Sequence, residues 1–189
     1  MTLTRDQQNQ LFRLIKQTLL NGVSGRFPTA YQSPDEQLNC PGASFVTLHL
    51  NGQLRGCIGS LQAHRPLADD IVQNAFSAAF RDPRFAPVTA EELQGLQVEF
   101  SILTEPEPIP HCETKQALMD QLVPFEDGLI LSDGMHRATF LPSVWTQLPE
   151  KEAFIDHLMH KGGMTHWSSD MRCERYGVVA YERDWQAIE

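Results

Sequence analysis

The stretch Asn51-Gly52-Gln53-Leu54-Arg55-Gly56-Cys57-Ile58-Gly59 decides the fold around which the remaining chain is arranged. Asn51-Gly52 is the strongest short signal for a β-hairpin, because both residues tolerate the positive φ angles of a primed turn. The β-rich run 44–50 precedes this turn and the run 53–61 follows it, so the two runs are predicted to pair as antiparallel strands. The second strand then carries a guanidinium, a thiol and two glycines on one short piece of backbone.

A two-residue turn fixes which residues of the two strands lie opposite one another. Arg55 is then opposite Leu48, and Cys57 is opposite Val46, so both side chains are expected on a largely apolar face. Cysteine is among the residues most often buried, which favours a structural role for the Cys57 thiol. The alternative is a catalytic nucleophile, which needs a cation, a histidine or a helix N-terminus to lower the pKa of the thiol.

Arg55 needs a partner on this face, because an unpaired buried charge is costly. Glu99 and Asp82 are candidate carboxylates for a structural ion pair, and a bound ligand is the alternative. Gly56 and Gly59 are compatible with a bulge or with the close approach of a ligand or another backbone.

The rest of the chain mixes helices and strands without a regular alternation, which predicts an α+β fold with mixed or antiparallel sheets, β-hairpins and flanking helices. A capping box at Thr4 and Gln7 starts one helix, and Pro66 suits the start of another. The alternating run 97–103 predicts a strand, and Asp133-Gly134 predicts a second hairpin.

The proline-rich connector 105–110 is the predicted boundary between two closely associated lobes. The larger lobe is expected to comprise roughly 1–105 with C-terminal parts of the chain. The smaller lobe is expected to comprise roughly 106–165, and 1–189 together are predicted to form a single domain.

Composition and charge exclude several classes of function. The chain has 189 residues, with 15 Lys and Arg against 24 Asp and Glu, for a net charge of -9. Such a chain repels a phosphate backbone unless its arginines gather in a local patch, so nucleic-acid binding is disfavoured. No segment approaches the roughly 20 apolar residues that span a bilayer, and the N-terminus lacks a signal peptide, so a cytoplasmic protein is expected.

Motifs for metals and cofactors are missing from the sequence. The four cysteines form no CxxC pair, and neither a phosphate loop, a dinucleotide fingerprint, HExxH nor GxSxG occurs. We therefore predict no metal and no cofactor. Arg81, Asp82 and Arg84 follow the second predicted helix, either as a salt-bridged helix end or as an anion clamp.

Several runs of the sequence resemble the AMMECR domain family, which prokaryotic genomes often label AmmeMemoRadiSam system protein A. They are Leu54-Arg55-Gly56-Cys57-Ile58-Gly59, Ala79-Phe80-Arg81-Asp82-Pro83-Arg84-Phe85, Glu99-Phe100-Ser101-Ile102-Leu103 and Ala138-Thr139-Phe140-Leu141-Pro142-Ser143-Val144-Trp145. The segment 154–163 is similar to the family's Lys-Ala-Gly segment, with Gly162 in place of Ala.

The resemblance implies an α+β fold in two lobes, with the Leu-Arg-Gly-Cys-Ile-Gly motif near a cleft between them. It also implies association with a Memo-like protein and a radical S-adenosylmethionine protein. It implies no reaction, so the sequence leaves open whether the chain is an enzyme.

Two hypotheses follow for function. The first is an accessory protein that binds a small ligand or a partner, in which Arg55 orients an anionic or carbonyl group and Glu99 fixes Arg55. Its predicted binding residues are Arg55, Gly56, Gly59, Arg81, Asp82, Arg84, Glu99 and Thr139. The alternative is an enzyme that uses Cys57 as a nucleophile in group transfer or hydrolysis, with an unidentified base.

Overall fold

The computed structural model describes residues 2–189. Its α-helices are α1 (Arg5–Val23), α2 (Leu67–Phe80), α3 (Lys115–Gln121) and α4 (Lys151–Gly162). Its strands are β1 (Pro41–Gly42), β2 (Ser44–Leu50), β3 (Gln53–Gly59), β4 (Arg65–Pro66), β5 (Leu96–Leu103), β6 (Glu107–Pro108), β7 (Gly128–Ser132), β8 (Arg137–Phe140), β9 (Arg172–Tyr176) and β10 (Val178–Asp184). The prediction of a mixed α+β fold is confirmed.

The chain divides into two compact units. Unit 1 comprises the described part of Met1–Leu103 together with Val179–Glu189, and unit 2 comprises Thr104–Val178. The prediction that residues 1–189 form a single domain stays a prediction. No helix within residues 2–189 has the length and apolar character needed to cross a membrane.

Unit 1 is built on a four-stranded sheet in the order β10-β5-β2-β3, with β3 at the edge. Val46, Leu48, Val98 and Phe100 point to one face and are fully buried. The ring of Phe12 on α1 lies 4.8 Å from that of Phe100 in an edge-to-face arrangement. This face of the sheet and the two helices of unit 1 therefore form one hydrophobic core.

The predicted start of α1 is confirmed. The Thr4 hydroxyl accepts the backbone N–H of Gln7, and the Gln7 side chain accepts the backbone N–H of Thr4, which completes the capping box. The helix continues through Gly22 to Val23. That glycine lies against the ring of Phe80, which would clash with a Cβ, so Gly22 lets α1 approach α2 closely.

The hairpin of β2 and β3 contains a β-bulge that the sequence analysis does not predict. Asn51 and Gly52 have φ angles of 53° and 75°, as a type I′ turn requires. Leu48 pairs with Gly56, whereas His49 pairs with Leu54, so Arg55 is an extra residue without a partner on β2. An extra residue shifts every later side chain to the other face of the strand.

The predicted pairing of Cys57 with Val46 is therefore wrong, and so is the predicted face of Cys57. Cys57 lies opposite Thr47, and Val46 lies opposite Ile58. The thiol thus shares the second face of the sheet with Thr47 and not the buried face with Val46 and Leu48.

Unit 2 has a sheet in the order β6-β9-β7-β8 and a separate core. Trp145 stacks on Phe154 with 3.7 Å between the ring centroids, and the Trp145 indole N–H donates to the backbone oxygen of Asp127. Gly163, with φ 75°, ends α4 in a left-handed conformation that favours glycine.

The contact between β3 and α2 makes a direct prediction about Gly56. A Cβ at this position would lie 2.1 Å from the carbonyl oxygen of Ala78, which is backbone and has no rotamer to change. We expect Gly56→Ala to lower the free energy of unfolding by about 3 kcal/mol or more, at the upper end of overpacking effects. Chemical denaturation measures this change.

Gly177→Ala is the matched control. A Cβ there would meet only Thr104, at the ordinary contact distance of 3.6 Å, and no positive φ is recorded for Gly177. The control is expected to change stability by less than about 1 kcal/mol. Equal stability of the two variants would contradict the close packing of β3 on α2.

Candidate functional site

The backbone of Cys57 is held by two side chains from the segment after α2. Because β3 is an edge strand, the N–H and C=O groups on its outer side have no neighbouring strand to pair with. A carboxylate oxygen of Asp82 accepts the Cys57 N–H at 2.9 Å, and Arg84 Nη2 donates to the Cys57 carbonyl at 3.2 Å. We call Asp82 and Arg84 the edge clamp, because together they pair with Cys57 as a strand residue would.

The two residues of the edge clamp also bind each other. The Arg84 guanidinium donates to Asp82 through Nε at 2.9 Å and through Nη2 at 2.7 Å, and the Arg84 backbone N–H donates at 3.1 Å. Asp82 is 4% exposed. The hydrogen bond from Arg84 is the largest cause that holds the pKa of Asp82 far below its ordinary value, and the Cys57 N–H adds to it against the opposing effect of burial. Asp82 is therefore a buried, ionised acceptor.

Of the two interpretations offered for this segment, the contacts match the salt-bridged helix end. Arg81 takes no part in it: its guanidinium lies over the ring of Phe76, 5.0 Å from the centroid, and 5.9 Å from that of Phe27. Arg81 is thus exposed on the aromatic side of α2. Within residues 2–189 it forms no hydrogen bond with the side chains of the edge clamp.

Arg55 forms an ion pair with Glu92, so the predicted pair with Glu99 or Asp82 is wrong. Its Nε and Nη2 atoms donate to the two Glu92 oxygens at 2.8 and 3.0 Å, and the guanidinium also donates to the carbonyls of Ala86 and Pro87. The Arg55 side chain is 14% exposed. Its hydrogen-bonding groups are therefore largely used in holding the loop before β5, and the role of Arg55 in orienting an anionic group loses its structural basis.

Glu92 is not among the predicted partners of Arg55, although the sequence contains a local pattern that involves it. Thr89 and Glu92 have the spacing of a capping box, and the Thr89 N–H does donate to Glu92 at 2.8 Å. The hydrogen bond from Arg55 is the main cause that lowers the pKa of Glu92. The bulge places the Arg55 side chain beside this carboxylate, and a regular hairpin register would not.

Both glycines of the motif are explained by contacts within unit 1. Gly56 lets the backbone of α2 approach, as described above. At Gly59 an added Cβ would lie 2.2 Å from the ring of Phe45, which pairs with Gly59 across the strands and covers it. Neither contact requires a ligand.

The second face of the sheet in unit 1 carries polar side chains. We call it the polar face and define it by Thr47, His49, Cys57 and Glu99, all of which are partly exposed. The Thr47 hydroxyl donates to the Cys57 sulfur at 3.3 Å, and Thr47 lies opposite Glu99 on β5. The hydrogen bonds of Cys57 to the edge clamp make Thr47 and Cys57 a non-hydrogen-bonded pair, in which side chains approach most closely.

Two groups on the polar face lack a partner within residues 2–189. The Nδ1 atom of His49 is buried and makes no hydrogen bond, and Glu99 forms neither an ion pair nor a recorded hydrogen bond. Burial raises the pKa of the Glu99 carboxyl, the charge of Glu182 adds to the rise, and His49 opposes it. Buried polar atoms in folded proteins nearly always have a partner, so the Nδ1 atom of His49 stands out.

The structure thus brings some of the predicted binding residues together and separates others. Asp82 and Arg84 contact the backbone of Cys57. Glu99 lies only on the same face of the sheet as the Cys57 thiol. Thr139 belongs to unit 2, where its hydroxyl lies 2.9 Å from that of Tyr176. His49 and Thr47 were missed, because the predicted register placed them away from Cys57.

No group of three or more His, Cys, Asp or Glu side chains in residues 2–189 has the geometry to hold a metal ion. Among the cysteines, burial raises the pKa of Cys173, which lies in the core of unit 2. Cys57 differs from it in being partly exposed beside polar side chains.

The edge clamp predicts how stability depends on pH. The pKa of Asp82 is lowered by folding, so its contribution is fully present above the unfolded value of about 4 and is lost as the pH falls below it. We expect Asp82→Asn to lower the free energy of unfolding at pH 7 by about 2 kcal/mol, because the hydrogen bonds involve a charged, buried acceptor. Urea denaturation between pH 7 and pH 3 measures both effects.

The variant should also lose less stability than the natural protein between pH 4 and pH 3. Asp6→Asn is the control, because Asp6 is an exposed carboxylate of unit 1 without a recorded ion pair. Identical pH dependence of the Asp82→Asn variant and the natural protein would argue against an ionised, buried Asp82.

Comparison with known proteins identifies the family of this chain. The AMMECR1 family model matches residues 12–181. A protein of Methanothermobacter thermautotrophicus is 36% identical over 190 residues, covering 96% of this chain and 97% of its own. A protein of Methanocaldococcus jannaschii is 35% identical over 192 residues, covering 99% of this chain and 92% of its own.

A solved structure agrees with the fold. The crystal structure of an uncharacterized protein from Pyrococcus horikoshii superposes with a TM-score of 0.73 at 26% identity, covering 93% of this chain and 91% of that one. The family match spans unit 2 and most of unit 1, including both the edge clamp and the polar face. The chain belongs to the AMMECR1 family.

Proposed function

We propose that this protein binds a small ligand or a partner group on the polar face of unit 1. The observation that carries the proposal is the buried Nδ1 atom of His49, which has no hydrogen-bond partner within residues 2–189 and lies on the same face as the partly exposed carboxyl of Glu99. A buried polar atom costs free energy when it is left without a partner, and a ligand that hydrogen-bonds to Nδ1 of His49 removes that cost, with the Glu99 carboxyl as a second contact.

The chemistry of the polar face favours a ligand that donates hydrogen bonds. The face offers a carboxylate, an imidazole, a hydroxyl and a thiol, whereas the guanidinium groups of Arg55 and Arg84 are bound to carboxylates. An amine, amide or hydroxyl group of a ligand suits these four side chains better than the anionic or carbonyl group that an unpaired Arg55 would bind. The edge clamp contributes by fixing the Cys57 backbone, and hence the thiol, beside Thr47.

Native mass spectrometry of the protein after incubation with a metabolite extract tests the proposal. We expect a bound small molecule that is lost, or at least about tenfold weaker, in Glu99→Gln, since hydrogen bonds to charged groups contribute 1.5–3 kcal/mol. Glu182→Gln removes an exposed carboxylate from a neighbouring strand and is the matched control. Retention of the ligand by Glu99→Gln, or its equal loss in both variants, would rule out this site.

A second candidate function is nucleophilic catalysis by Cys57. The thiol lies on the face that carries His49, and this shared face supports His49 as a candidate for the base. A thiol of this kind forms a covalent intermediate once the base has taken its proton.

Alkylation of Cys57 by iodoacetamide as a function of pH, followed by mass spectrometry, separates the two functions. A nucleophile activated by His49 reacts with a midpoint well below the ordinary thiol pKa of about 8.5, and His49→Gln restores the ordinary value. Cys40 is exposed and serves as the internal reference. A Cys57 midpoint equal to that of Cys40 would leave binding as the only supported function.

The resemblance to AmmeMemoRadiSam system protein A supports a further proposal about partners. We infer that the chain acts with a Memo-like protein and a radical S-adenosylmethionine protein, in the cytoplasm. The support is the match of the motif residues 54–59 and 79–85 in the sequence. Failure of co-expressed partners to copurify with the tagged chain would contradict this proposal.

A further inference from the structure

A second concave site lies in unit 1, apart from the residues of the polar face. It is a cleft of about 250 Å³ lined by Arg5, Asn9, Arg13, Arg183, Ala187 and Glu189. We call it the arginine cleft. None of these residues belongs to the motif around Cys57 or to the edge clamp.

One wall of the arginine cleft is a single face of α1. Arg5, Asn9 and Arg13 follow one another at intervals of four residues, which places their side chains in a row along the helix. Arg183 on β10 faces them, and its guanidinium lies 4.7 Å from the centroid of the Phe12 ring. Stacking on an aromatic ring holds a guanidinium in place while its N–H groups stay available.

The other wall is fixed to α1 by Lys16. Its ammonium group donates to the backbone oxygens of Trp185 and Ile188, and it lies 5.4 Å from the centroid of the Trp185 ring. Trp185 and Ile188 are buried, at 2% and 1% exposed. The segment that brings Ala187 and Glu189 to the cleft is therefore anchored in the core of unit 1.

The charges in the cleft are unbalanced. Within residues 2–189, no ion pair or side-chain hydrogen bond is recorded for the guanidinium groups of Arg5, Arg13 and Arg183. Arg55 and Arg84, in contrast, are paired with carboxylates. Among the described residues that line the cleft, Glu189 is the one acidic residue, so three arginines face one glutamate.

This concentration of positive charge is unusual in a chain with a net charge of -9. Guanidinium groups bind phosphate through paired N–H donors, and a concave site with several of them on separate elements converges on one anion. The volume lies below the roughly 300–1,000 Å³ of sites for drug-sized ligands, which suits a compact phosphate or pyrophosphate group.

We propose that the arginine cleft binds a small phosphate-bearing ligand, with Arg13 and Arg183 as the principal contacts from its two walls. Asn9 adds an amide donor between Arg5 and Arg13. This site is independent of the function proposed for the polar face, and either proposal stands without the other.

Isothermal titration calorimetry with inorganic pyrophosphate, in a phosphate-free buffer of low ionic strength, tests the proposal. We expect saturable binding with one site per chain. Arg13→Gln and Arg183→Gln should each weaken it by about tenfold or more, because each removes charge-assisted hydrogen bonds. Glu189→Gln should strengthen it, because the opposing carboxylate charge is removed.

Arg26→Gln is the matched control. Arg26 is an exposed arginine of unit 1 outside the arginine cleft, so this variant changes the net charge equally and is expected to leave binding unchanged. Circular dichroism of each variant verifies folding, and Arg13→Gln at an exposed position keeps the test valid if Arg183→Gln does not fold.

Three results would overturn the proposal. The first is no saturable binding of pyrophosphate by the natural protein. The second is an equal loss in Arg13→Gln and Arg26→Gln, which indicates non-specific attraction. The third is binding of a polyglutamate peptide without binding of pyrophosphate, which indicates a surface for an acidic protein.

Discussion

Asp82 and Arg84 supply the hydrogen bonds that β3 lacks at the edge of its sheet, and the arrangement around Cys57 depends on them. A buried carboxylate at this position is stable only because it accepts from a guanidinium and from two backbone N–H groups. The same contacts close the strand edge to pairing with another chain. The segment after α2 and the motif on β3 therefore form one hydrogen-bonded unit, in which each depends on the other.

The bulge at Arg55 is the second constraint, and it determines which side chains can do chemistry. It directs Arg55 to Glu92, seats Gly56 against α2 and moves the Cys57 thiol onto the face of Thr47 and Glu99. The arginine and the glycines of the motif therefore stabilise the fold through contacts within unit 1. The thiol, which a regular register would bury, becomes partly exposed.

The features that the sequence predicts correctly are local ones. The Asn51-Gly52 turn, the Thr4 capping box and the alternating strand β5 each depend on neighbouring residues, and all are present. The register beyond the turn depends on how α2 and the loop carrying Glu92 pack on β3, which no short pattern records. A shift of one residue was enough to move Cys57 to the other face of the sheet, which also carries His49.

Amide hydrogen exchange at Cys57, followed by NMR spectroscopy, tests whether the edge clamp holds β3, because within residues 2–189 this N–H has no partner besides Asp82. We expect a slowly exchanging amide in the natural protein and at least about tenfold faster exchange in Asp82→Asn, with the amides of the inner strand β2 still protected. Rapid exchange at Cys57 in the natural protein, or exchange that Asp82→Asn leaves unchanged, would contradict this expectation.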